Sequence, residues 1–248
     1  ATGFLPKCRK TSENLKWETS KQLDIGLSLG FFDDQFGLKV DYYETTTEDM
    51  LFNVSIPQAS GFSSSRINVG EMLNKGWDFE AVGSYQINDF LWNGNLNVSL
   101  LRNIVTSLPE QIERIIIADN ITEEGLPVGS LYGYQIDGIF NTREQLDDPD
   151  LYGYPGAKDF GAYIYRDVNN DGIINAQDKT NIGNPHPRTV LGFNNQFTFK
   201  NLSLSILMTG SFGYQIANAL YEASYNEVGR WNVDEAFLTR WKSPENPG

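Results

Sequence analysis

Apolar and polar residues alternate along much of this chain, most clearly from Thr189 to Gly210. Leu191, Phe193, Phe197 and Phe199 fall on one side of the first run, with Asn195 as the polar exception. Gly192, Asn194, Gln196 and Thr198 fall on the other. After Lys200-Asn201, a second run places Leu202, Leu204, Ile206 and Met208 opposite Ser203, Ser205 and Thr209. Side chains point to opposite faces of a strand with period two, so the stretch predicts a hairpin with one apolar and one polar face. Each run is about ten residues, the length that a tilted strand needs to cross a bilayer.

The same alternation occurs earlier in the chain. Leu23, Ile25, Leu27, Leu29 and Phe31 alternate with Asp24, Gly26, Ser28 and Gly30. A turn at Phe32-Asp33-Asp34-Gln35 leads to Phe36, Leu38, Val40 and Tyr42, which alternate with Gly37, Lys39, Asp41 and Tyr43. A polar connection follows, containing Pro57 and the loop-like run from Ser60 to Ser65. A second hairpin is expected to begin near Ile67, with a bulge at Asn74-Lys75-Gly76. In it Trp77, Phe79, Ala81 and Tyr85 oppose Asp78, Glu80 and Ser84. After the turn at Asn88-Asp89, Trp92, Leu96, Val98 and Leu100 oppose Asn93, Asn95, Asn97 and Ser99. The pattern lapses from about Asn103 to Arg188, and a short helix is expected around Ile216–Tyr225.

Short and long connections therefore take turns, which is how outer-membrane barrels are wired. Aromatics gather beside each short turn: Phe31 and Phe36; Tyr85, Phe90 and Trp92; Phe197 and Phe199. That placement fits an interfacial girdle. The fold expected is all-β, about six antiparallel strands of a transmembrane barrel with long extracellular loops. A soluble β-sandwich produces the same alternation and stands as the alternative.

Composition narrows the partners. With 40% hydrophobic and 13% aromatic residues the chain is not a disordered one. The mean hydropathy of −0.38 leaves room for a barrel, because only every second strand residue meets lipid. A net charge of −13 argues against nucleic acid as a partner. The single cysteine, Cys8, excludes an intrachain disulfide. The single histidine, His186, sits between two prolines and is a poor general base or zinc ligand. Ala1 begins the chain without a signal peptide, and Pro-Glu-Asn-Pro-Gly closes it on loop composition, so a segment of a longer protein is expected.

One stretch carries a chemical signature. Residues 167–178 place Asp167, Asn169 and Asp171 at positions one, three and five of a calcium-type loop, Gly172 at six and Asp178 at twelve. The expected ligands of a structural calcium are Asp167, Asn169, Asp171 and Asp178 by side chain and Ile173 by its carbonyl. Aspartate at position twelve is shorter than the usual glutamate. An Asx-rich turn without metal satisfies the same pattern. Tyrosines also concentrate in the long connection, and Tyr132, Tyr134, Tyr163 and Tyr165 are the candidate contacts for a stacked ligand. A glycosidase pair among Glu110, Glu113, Glu123, Glu124, Glu144, Asp147 and Asp148 is the enzymatic alternative, against the simpler reading of a solvated loop surface.

Several short motifs together resemble one family. Leu15-Lys16-Trp17-Glu18-Thr19, Asp41-Tyr42-Tyr43, Thr47-Glu48-Asp49-Met50-Leu51, Asn68-Val69-Gly70 and Asn74-Lys75-Gly76 are similar to the SusC/RagA group of TonB-linked outer-membrane transporters. So are Val128 to Tyr134, Asp137-Gly138-Ile139-Phe140, and the 167–178 loop leading to Ile182-Gly183-Asn184-Pro185. The resemblance implies a multi-pass protein of the bacterial outer membrane, a barrel of about 22 strands around an N-terminal plug. It further implies non-enzymatic uptake of oligosaccharides, or of peptides, driven by TonB and assisted by a SusD-like surface lipoprotein. On that reading residues 1–248 are part of the barrel domain, 103–188 is a long extracellular loop region, and the plug and closing strand lie elsewhere. A soluble, calcium-stabilised carbohydrate-binding sandwich remains the alternative.

Overall fold

The computed structural model describes residues 10–11, 15–55, 64–110, 112–154, 156, 158–220 and 232–247. Each alternating run becomes a long strand: β1 (Thr19–Phe31), β2 (Phe36–Glu48), β3 (Glu71–Ile87), β4 (Phe90–Ser107), β5 (Thr189–Phe199) and β6 (Leu202–Phe212). They form one six-stranded sheet whose spatial order follows the chain, and every neighbouring pair is antiparallel. The turns fall at 32–35, 88–89 and 200–201 as the polar punctuation predicts. Asn88 and Lys200, each first in its two-residue turn, take φ of 50° and 51°, the left-handed region that reverses a hairpin tightly.

The register is continuous from Met72 to Ile87 against β4, so no bulge occurs at Asn74-Lys75-Gly76; the irregularity lies between Glu71 and Met72. Gly76 answers a different need. A Cβ there would stand 2.3 Å from the Leu100 carbonyl oxygen and 2.7 Å from the Tyr43 hydroxyl, so the glycine marks close approach of its neighbours. Strand β4 also runs on to Ser107, past the point where alternation fades. Of the helix expected over 216–225, residues 216–218 are not helical and 219–220 are, while residues 221–225 lie outside the described residues.

Two compact units divide the chain. The first comprises residues 1–130 and 184–214 and contains the sheet; the second comprises residues 131–183 and 215–248. In the first unit, Met50, Val69, Val105, Ile115 and Ile121 are buried, and all lie at the ends of strands away from the short turns or in the connections there. The sheet itself buries little because both of its faces are open. Ile25 is 61% exposed, Leu27 58% and Leu204 57%. Among the described residues no second sheet covers this apolar face, so the sandwich alternative fails.

Register sorts the outward face into horizontal rows. Phe31, Phe36, Tyr85, Ile87, Phe90, Trp92, Phe197 and Phe199 ring the short-turn end. At the other end Tyr42 pairs with Trp77, their rings 5.0 Å apart, and Trp77 pairs in turn with Leu100. Trp77 and Ile87 are ten residues apart on β3, about 34 Å along the strand and about 26 Å across the membrane at a tilt of about 40°. That matches the apolar band of a transmembrane barrel. Beyond the second girdle the outward positions become charged: Glu44, Lys75 and Arg102.

Asn195 points outward within the band, 6% exposed, and accepts a hydrogen bond from the Trp92 indole nitrogen at 3.0 Å. The indole reaches it across Gly94, where a Cβ would come within 2.4 Å of the ring. An amide in hydrocarbon must find a partner inside the protein, and this one does.

The second unit is loop-rich. Ser130–Gly133 pairs with Thr180–Gly183, and Ile136–Ile139 pairs with Tyr163–Tyr165, both antiparallel. A short helix, Arg143–Asp147, begins in a capping box between Thr142 and Gln145. Tyr132, Phe140, Ile164 and Ile174 are the buried apolar residues of this unit, and the Trp241 indole donates to the Asn141 side chain at 2.6 Å.

Candidate functional site

The polar face of the sheet gathers more chemistry than the alternation alone indicates. Asp41 of β2, Asp78 of β3 and Ser99 of β4 fall in one row; Lys39, Glu80 and Asn97 fall in the next. The Ser99 hydroxyl donates to Asp78, Asn95 donates to Glu80 at 3.1 Å, and Asn97 donates to Asn95. Lys39 pairs with Asp41 at 3.0 Å. With Asp24 these groups line a groove of about 580 Å³. The expected amides therefore belong to a larger polar ladder: Asn93, Asn95 and Asn97 on β4 stand opposite Gln196, Asn194 and Gly192 on β5. The carboxylate rows escape a reading of sequence because they come from three strands and appear only once register is known.

His186 has a structural role in the same unit. Its Nε2 lies 2.8 Å from the Val128 carbonyl, while the Val128 N–H donates to Asn103 at 2.8 Å. Asn103 donates in turn to Asn74 at 2.6 Å. The backbone at Val128 is thus held from both sides, at the rim of a cleft of about 780 Å³.

In the second unit the 167–178 loop closes on its own oxygen atoms. Asp167 accepts from the Asp171 and Gly172 amides at 3.3 and 2.7 Å, and Asp171 accepts from the Ile173 amide at 2.9 Å. Asn169 donates to the Asp171 carboxylate at 2.8 Å. Gly172, at φ 81°, makes the sharp turn. Asp178 is wholly buried and accepts from the Val168 amide at 3.0 Å and the Asn175 amide at 2.7 Å. The Ile173 carbonyl accepts from the Asn175 side chain at 3.1 Å. Asp167, Asn169 and Asp171 are thereby brought into one turn, whereas Asp178 clamps both ends of the loop. The oxygen donors fit a hard cation in type and order. Among the described residues no three carboxylate, histidine or cysteine groups converge on a metal position.

The tyrosines divide. Tyr134 packs against Tyr154 and Tyr165, with ring centroids 5.3 and 5.6 Å apart, and Tyr163 stands edge-on to Tyr165 at 6.3 Å. Tyr132 is buried and belongs to the small core. Burial, then a hydrogen bond with Tyr154, pushes the Tyr134 phenol above its usual pKa, and burial does the same to Tyr165. Arg166 holds Asp137 through two bonds, at 3.0 and 2.6 Å. Three of the seven loop carboxylates considered for an enzyme are engaged locally: Glu124 accepts from the Leu108 amide, Asp147 from Arg143 and Asp148 from the Asp150 amide.

A single antiparallel wall with an open apolar face, aromatic girdles at both rims and short turns at one end defines a transmembrane β-barrel wall of the outer-membrane kind. Comparison with known proteins agrees. A family described as TonB dependent receptor-like, beta-barrel matches residues 9–131. TonB-dependent receptor P3 of Formosa agariphila is 35% identical over 246 residues, covering 95% of this chain and 24% of that protein. TonB-dependent receptor SusC of Bacteroides thetaiotaomicron is 25% identical over 211 residues, covering 81% of this chain and 20% of SusC. Among solved structures, the RagAB peptide importer in the closed-closed state superposes with a TM-score of 0.74 at 28% identity, over 95% of this chain and 26% of that one. The chain belongs to the TonB-dependent receptor β-barrel family, and it lies in the bacterial outer membrane. It spans about a quarter of the length of these relatives, and the two sheet edges, β1 and β6, need strand partners within lipid.

Proposed function

We propose that this chain supplies wall, lumen face and extracellular loops to a TonB-dependent importer whose cargo is an oligosaccharide. The observation that carries the reading is the ladder of uncharged amides facing the lumen, Asn93, Asn95 and Asn97 beside Asn194 and Gln196. Amides both donate and accept, which suits the hydroxyl groups of a sugar. Around this segment the intact receptor would add the remaining strands, the plug and the contact with TonB. A SusD-like lipoprotein would cap the mouth. The protein moves its ligand and performs no chemistry on it. The tyrosine group Tyr134, Tyr163 and Tyr165, with Tyr132 beneath the surface, would meet ligand from the loop side. In the 167–178 loop, Asp167, Asn169, Asp171, Ile173 and Asp178 would hold a structural calcium. Peptide cargo is the second reading, favoured by the similarity to a peptide importer and by Asp24, Asp41, Asp78 and Glu80, which complement a cationic ligand.

Uptake by cells carrying the intact receptor separates the two. Labelled oligosaccharide is expected to accumulate, and Asn95→Leu with Asn97→Leu should slow it roughly thirtyfold, from about 1 kcal/mol for one hydrogen bond lost at each position. Accumulation of labelled peptide alone would transfer the function to the second reading.

A further inference from the structure

We propose that the outward face of the wall carries a site for a phosphate-bearing lipid headgroup, built by Lys75 and Arg102. Lys75 on β3 and Arg102 on β4 are direct cross-strand partners, one row beyond Tyr42, Trp77 and Leu100 on the same outward face. Like charges directly opposite each other destabilise a sheet, so the pairing calls for a counter-charge. The protein supplies little of one. Among the described residues neither Lys75 nor Arg102 forms an ion pair. Glu44, the other cross-strand neighbour of Lys75, accepts the Tyr42 hydroxyl at 2.7 Å and makes no ion pair with the lysine.

Both cations border one groove of about 300 Å³, together with Tyr42, Trp77 and Leu100. A second groove of about 430 Å³ also reaches Tyr42 and Trp77; its other walls are Ile25, Leu27 and Val40, and it is almost wholly apolar. A cationic groove and an apolar groove that share two aromatic side chains match an amphiphile, with its phosphate above and its acyl chain below. The position agrees. These cations lie at the end of the span away from all three short turns, which is the extracellular side. They gather there although acidic residues outnumber basic ones 32 to 19. Arginine grips phosphate oxygens in pairs, and lysine adds a point charge.

The test is native mass spectrometry of the intact receptor in non-ionic detergent, titrated with phosphatidic acid or with phosphatidylcholine of the same chains. Phosphatidic acid is expected to be retained in preference. Arg102→Gln should weaken it roughly fivefold, and Lys75→Gln with Arg102→Gln roughly twentyfold, from about 1 kcal/mol per cation near a membrane surface. Lys39→Gln on the lumen face should leave phosphatidic acid retention as in the parent, and heat-modifiable gel migration identifies the folded barrels. If the double variant does not fold, the single variant decides the matter. Equal retention by variant and parent overturns the site, as does equal retention of phosphatidylcholine. Displacement by inorganic phosphate at matching concentration overturns the lipid and leaves a free-anion site.

Discussion

Leu27→Arg should destabilise the intact receptor in lipid by about 2–4 kcal/mol, whereas Ser28→Arg should cost less than about 1 kcal/mol. The two residues are adjacent on β1 and differ only in the face they occupy. Leu27 pairs with Val40 in the middle of the apolar band, where a guanidinium loses its water and gains no counter-charge. Ser28 pairs with Lys39 on the polar face, where an arginine remains hydrated and meets only the like charge of Lys39 across the strand pair. Denaturant unfolding of receptor refolded into vesicles measures both. Equal losses would mean that the faces are not solvated differently, and a loss confined to Ser28→Arg would reverse their assignment.

Asp178→Ala should open the 167–178 loop. The carboxylate is wholly buried and accepts from two backbone amides ten and three residues before it. Removing it orphans both, at about 1–3 kcal/mol for each donor left unsatisfied. Hydrogen exchange at Val168 and Asn175 should accelerate sharply, and protease should cut within the loop, while the barrel strands keep their protection. Asp178→Asn retains one acceptor oxygen and should fall between. Calcium enters separately: if it is bound as proposed, its addition slows cleavage in the parent and loses that effect in Asp171→Ala, which leaves both Asp178 bonds in place. An Asp178→Ala receptor that exchanges and digests like the parent would show that this side chain does not hold the loop.

The strands were legible in the sequence because they are two-sided and long. Lipid on one face and water on the other impose a period-two code that short windows reveal, and the three tight turns are punctuated by Asp, Asn and Lys. The Phe-rich girdle was legible too, since it clusters beside those turns. What register creates was not legible. Tyr42 and Trp77 form the second girdle only when β2 and β3 align, and the row from Asp41 to Ser99 draws on three strands. Gly76 misled for a related reason: its role is to admit the Tyr43 ring from the neighbouring strand, a contact no local pattern contains. In the loop region the oxygen spacing marks the turn, while the bonds that Asp178 accepts from the Val168 and Asn175 amides emerge only in three dimensions.

The central claim is that one face of this sheet meets hydrocarbon and the other the lumen. Its most direct test is to place single spin-labelled cysteines, in a receptor lacking Cys8, at Ile25, Leu27, Ile206 and Met208, and at Asp24, Ser28, Ser203 and Ser205. Collision with dissolved oxygen, which concentrates in lipid, should dominate at the first four sites. Collision with a water-soluble nickel chelate should dominate at the second four. Aqueous access at Leu27 and Ile206 equal to that at Ser28 and Ser205 would contradict the membrane-spanning wall.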